Sequence, residues 1–249
     1  MATLSRRNLL KGSALFGGGA FLTFNQIFGF SRVFGQEMAA DDDLQTILNV
    51  AATAELFATT HYLAAINAAA DLGLDDIQLA YLKAGFIAEQ DHYDLLVSLG
   101  AEPVATEFYV PENLFSDLTV FATTTEVAET AFTGAYLAAT RIFSKSEETT
   151  PFAVTAAQIA AVEETHRVLI RQIGKVGLAN NTSYAQYTLY NVSSAVPVLQ
   201  PFLDGEADGF VGPVAPPTED DIATIRAEAE AIGYDSPGVP FAAMEEMPS

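Results

Sequence analysis

A chain of 249 residues, half of them hydrophobic, is long enough for one sizeable core with appendages, and the absence of cysteine rules out a disulfide framework, a thiolate metal site and a cysteine nucleophile. The formal net charge of −21 excludes nucleic-acid binding, which needs a basic footprint, and argues against docking on anionic lipid. It describes instead a solvated, self-repelling surface.

Residues 1–40 read as a targeting segment. Ser5-Arg6-Arg7-Asn8-Leu9-Leu10-Lys11 resembles the twin-arginine (Tat) export signal of bacteria and archaea, and the Gly-, Leu- and Phe-rich stretch from Gly12 to Phe30 supplies the apolar region such signals carry. Gly17, Gly18 and Gly19 make that stretch a poor spanning helix. The resemblance implies export in the folded state, to periplasm, envelope or exterior, with membrane contact only through an uncleaved signal. From residue 41 onward 7 basic residues face 31 acidic ones, a net of −24.

Residues 41–177 are alanine-rich and helical in period. A first helix is expected over 43–70, with Asp41-Asp42-Asp43 suiting its N-terminus, and Gly73 and Asp75 mark a stop and a new start. A second helix spans 76–99 and stops at Gly100. Residues 101–118, with Pro103 and Pro111, are long for a loop between neighbouring helices and suit a crossover along a bundle. Helices over 119–144 and 153–175 follow, separated by a turn from Ser146 to Pro151. Short, long, short connections specify an all-α fold: an antiparallel four-helix bundle with one crossover between its second and third helices.

The remainder, 178–249, is an irregular acidic extension with eleven acids and one base, Arg226. Ser183 to Leu203 is aromatic and apolar and is expected to pack over the bundle. Pro213 to Pro217 reads as a linker, and Thr218-Glu219-Asp220-Asp221 caps a short helix through Ala231.

The informative residues lie at mid-helix. Residues three apart share a helix face, so Glu89-x-x-His92 and Glu163-x-x-His166 can each aim a carboxylate and an imidazole at one spot. The other two helices carry lone acids on their apolar seams: Glu55 on the first, Glu126 and Glu129 on the third. Glu55 to Glu89 and Glu129 to Glu163 are both 34 residues, and Tyr62 and Tyr136 each lie seven after Glu55 and Glu129. The two hairpins read as repeats about a pseudo-two-fold axis, which ranks Glu129 ahead of Glu126. No Lys or Arg is expected at that depth, so converging buried carboxylates require cations from elsewhere. His61 is offset from this layer and reads as a packed or partly exposed histidine. Glu164 and Asp91, one position off the seam, read as surface or supporting residues.

This pattern resembles the ferritin-like superfamily of di-iron and di-manganese carboxylate proteins, in which two helices each give a Glu and two give Glu-x-x-His. The resemblance covers residues 42–176. The tyrosine one heptad after each lone Glu is similar to bacterioferritin, and the doubled Glu126/Glu129 to rubrerythrin. The Leu99-Gly100-Ala101 turn and the Phe132-Thr133-Gly134-Ala135 run are similar to exported ferritin-like domains grouped with desiccation-related proteins. The resemblance implies that Glu89 and Glu163 bridge two metals, that Glu55 and Glu129 are terminal ligands with Glu126 as an alternative or extra one, and that His92 and His166 bind one metal each. It implies two Fe ions, or Mn in their place, with Tyr62 and Tyr136 bonding the ligands or supplying an electron. The expected activity is oxidation of Fe(II) with O₂ or peroxide, or peroxide removal, including catalase-like disproportionation. The rival expectation is a non-catalytic, stress- or desiccation-related structural module. The extension is unlike the compact subunits of ferritin cages, so a monomer or dimer is expected.

Overall fold

The computed structural model describes residues 40–234 and 240; the signal reading falls on residues 1–39, outside them. Four long helices dominate: α1 (Leu44–Asn67), α3 (Asp76–Ser98), α4 (Leu118–Phe143) and α5 (Thr150–Ile173), with a one-turn helix α2 (Ala69–Leu72) between the first two. Their starts are written in side chains. Asp43 accepts from Thr46 N, Asp75 and Gln78 form a reciprocal capping box, and Asp117 accepts from Thr119 N and Val120 N. The helix expected over 43–70 breaks at Ala68, and Gly73 closes α2 in the left-handed conformation at φ 67°. α5 starts at Thr150, three residues before the expected position, because Pro151 sits in the first turn, where its missing N–H costs nothing.

α1 packs along α3 and α4 along α5, each pair joined by a short connection. The 99–117 segment between the pairs is not wholly irregular, and this corrects the all-α expectation. Its β1 (Phe108–Pro111) pairs antiparallel with β2 (Phe210–Val214), so the expected linker at Pro213 begins in a strand. Phe108 and Val110 turn inward and are buried. The extension therefore closes back on the crossover.

The rest of the extension also docks. A 3₁₀ turn (Val192–Ala195) and α6 (Val196–Asp204) lie against α1, α4 and β1. Phe202 sits 4.7 Å from Phe57, ring centre to ring centre. Of the expected Ser183–Leu203 packing segment, only the part from Val192 is helical. α7 (Glu219–Ala231) lies on α3 through buried Ile225 and Ala229, with ion pairs Arg226–Asp91 at 2.6 Å and Lys83–Glu228 at 2.8 Å. Among the described residues no helix is long and apolar enough to cross a membrane.

His61 is packed, not exposed. It stacks on Phe121 at 5.2 Å and touches the rings of Phe57 and Phe115. Its Nε2 lies 2.7 Å from Thr125 Oγ1, whose proton goes to the Phe121 carbonyl, so Nε2 donates. Burial depresses its pKa from 6.5 to about 3. The unfolded chain takes up a proton near 6.5 that the folded chain refuses, so this contribution to stability is lost as pH falls from 6.5 toward 3. In urea titrations, wild type is expected to lose up to about 1.4 kcal/mol per pH unit from this group across that window, and His61→Phe to lose correspondingly less.

Candidate metal centre

One layer of the core, between Tyr136 on one side and Tyr62 on the other, gathers four carboxylates and two imidazoles. α1 brings Glu55, α3 Glu89 and His92, α4 Glu129, and α5 Glu163 and His166. Their atoms fall into two groups whose candidate ligand atoms all lie within 4.8 Å of one another: Glu55, Glu89, His92 and Glu163; and Glu89, Glu129, Glu163 and His166. Glu89 and Glu163 belong to both. His92 Nδ1 stands 3.6 Å from Glu55, 3.3 Å from Glu89 and 3.3 Å from Glu163. His166 Nδ1 stands 2.7 Å from Glu89, 3.6 Å from Glu163 and 4.0 Å from Glu129. The two imidazoles thus occupy related positions on either side of a shared carboxylate pair.

All four glutamates are at most 1% exposed. The tyrosines hold the outer two reciprocally: Tyr62 of α1 donates to Glu129 Oε1 of α4 at 2.6 Å, and Tyr136 of α4 donates to Glu55 Oε1 of α1. Each outer glutamate therefore has Oε1 committed, while Oε2 is buried without a hydrogen-bond partner; both Glu163 oxygens are orphaned too. Orphaned buried carboxylate oxygens are costly, and a cation at this spot would satisfy them. The donor set therefore fits a metal ion in each group.

The electrostatics point the same way. Burial, then repulsion from Glu163 and Glu89, pushes Glu55 well above the usual carboxylate range. Burial and Glu89 do the same to Glu129. Glu89 is lowered: burial would raise it, but the adjacent His166 and His92 outweigh that. Burial alone would lower both histidines, yet the surrounding carboxylates raise His92 and His166 well above 6.5. Protons thus do the compensating that the side chains cannot.

Glu126 is not brought to this layer. Its carboxylate binds the Arg171 guanidinium and lies 3.5 Å from Arg167 Nη1. Among the described residues no arginine enters the ligand layer, but Arg167, one residue after His166, is fully buried beside Glu126. It grips Glu164 through two bonds, at 2.9 and 2.6 Å, and donates to Asn181 at 3.0 Å and Thr182 at 3.3 Å. The only sequence signal for this clamp was the i, i+3 spacing of Glu164 and Arg167.

The family model for the ferritin-like domain matches residues 43–175. No curated protein and no solved structure gives a match.

A titration tests the electrostatics. Glu55, Glu129, His92 and His166 all bind protons more tightly folded than unfolded, so the stability they provide is present at low pH and lost as pH rises past their ordinary values of 4.5 and 6.5. Glu89, shifted downward, acts only below 4.5. The Tm of metal-free protein is expected to fall between about pH 5 and pH 8, and more gently in Glu129→Gln. A Tm that rises over that range would contradict the charge assignment.

Proposed function

The chain belongs to the ferritin-like domain family, and on that premise we propose that its buried layer holds two metal ions in an exported oxidoreductase. The supporting observation is that two ligand groups share Glu89 and Glu163. Glu89, Glu163, Glu55 and His92 would hold one ion; Glu89, Glu163, Glu129 and His166 the other. The mixed oxygen and nitrogen donors suit iron, with manganese as the alternative. The four long helices form an antiparallel bundle with one crossover, spanning 41–177, and residues 178–234 of the extension at 178–249 pack over it. Export follows the twin-arginine route, in which a folded protein carries its metal out, and the exported chain acts as a monomer or dimer.

When bound, the ions supply paired one-electron chemistry, so that substrate Fe(II) is oxidised by O₂ or peroxide, or peroxide itself is removed. The protein's own part is positioning and exclusion. The Tyr62 and Tyr136 hydroxyls pin one oxygen of Glu129 and Glu55, fixing the direction of the other. Burial and the neighbouring glutamates raise both tyrosine pKa values, so those protons stay in place across physiological pH. Glu126 belongs to the arginine clamp and binds no ion.

Reconstituted protein is expected to hold about two metal ions per chain, as the ligand pattern requires, with Glu89→Ala and His166→Ala each holding fewer than one. Stopped-flow mixing with Fe(II) and either O₂ or peroxide would then show oxidation that both variants lose. Metal content below one and unchanged by either substitution would leave the non-catalytic structural module as the reading.

A further inference from the structure

The core is filled unevenly about the polar layer. On the Tyr62 side large residues fill most of the space: Leu82, Phe86, Phe121, Ile170 and Ile173 are all at most 1% exposed, and the pocket left beside Tyr62 and His166 holds only about 10 Å³. On the Tyr136 side, ten of the nineteen buried core residues are alanine, against three of thirteen on the other. Alanines from three helices, including Ala51, Ala139 and Ala156, face an apolar cavity of about 50 Å³ that Tyr136 also lines and whose rim includes the exposed Leu44 and Leu99. Its wall is hydrocarbon apart from Tyr136 and Thr155. Thr155 donates back to the Pro151 carbonyl, and the Tyr136 hydroxyl is committed to Glu55.

We propose that this cavity is a dioxygen site serving the metal layer. Its size is about a third of the ~150 Å³ that accommodates benzene, enough for a diatomic gas. Water or hydrogen peroxide would leave several hydrogen-bonding groups unmet against such a wall, whereas an apolar gas loses none. The position is equally specific. Tyr136, which lines it, bonds Glu55, whose other oxygen lies 3.6 Å from His92 Nδ1. Gas held there would be separated from one of the two ligand groups by the Tyr136 side chain. The assignment rests on the oxidoreductase reading for its purpose and names O₂ over peroxide as oxidant, but gas binding itself needs no metal.

Crystals of the metal-free full chain pressurised with xenon test the cavity directly. Xenon density is expected between Ala139 and Ala156 in wild type and absent in Ala139→Leu, which fills the space. In iron-loaded protein, Ala139→Leu is expected to raise the KM for O₂ several-fold while leaving peroxide-driven oxidation unchanged. Should Ala139→Leu fail to fold, Ala156→Val is the milder filler read by the same two measurements. No xenon in wild type, an acyl chain occupying the cavity, or an unchanged KM for O₂ in a filled variant would overturn the proposal. If the chain binds xenon but no metal, the gas site stands and the oxidoreductase reading falls.

Discussion

Four carboxylates buried in one layer repel each other and are cut off from the water that would stabilise them, and everything around them answers that problem. Two protonated imidazoles bring a formal −4 to −2, and protons retained on Glu55 and Glu129 remove the rest. That solution works only at the cost of strongly displaced pKa values. Two divalent cations with neutral imidazoles would balance the same −4 without any retained proton. The layer is therefore a proton trap that a pair of metal ions would relieve, and metal uptake should release protons.

The surrounding fold keeps this layer intact. Tyr62 and Tyr136 cross between the helix pairs, so the α1–α3 and α4–α5 hairpins are tied through the ligands themselves. A second charged group, Glu126, Glu164, Arg167 and Arg171, is kept apart from the first and anchors the start of the extension through Asn181 and Thr182. Separating the two groups matters: an arginine inside the ligand layer would compensate the carboxylates permanently and leave nothing for a metal to do. The extension then covers both hairpins, with the 3₁₀ turn on α1 and α4, α6 on β1, and α7 on α3.

The gathered residues were readable in the sequence because their pattern is local. Glu-x-x-His is a statement about one helix turn, and a repeated 34-residue spacing is a statement about one hairpin, so both survive without knowledge of the tertiary structure. The four long helices were legible for the same reason: caps such as Asp43 and Asp75 act within three residues. What escaped was non-local. Phe108–Pro111 and Phe210–Val214 are short, carry Pro and Gly, and become strands only by finding each other across about a hundred residues. Glu126 sits on the same seam as Glu129 by spacing, and only the packing of α5 against α4 reveals that Arg167 and Arg171 claim it.

Anomalous diffraction from iron-soaked crystals, collected across the iron absorption edge, would show whether two ions share Glu89 and Glu163. Two peaks are expected, each bordered by both Glu89 and Glu163, one beside His92 and the other beside His166. A single peak, a peak at Glu126, or an empty layer under saturating Fe(II) would contradict that sharing.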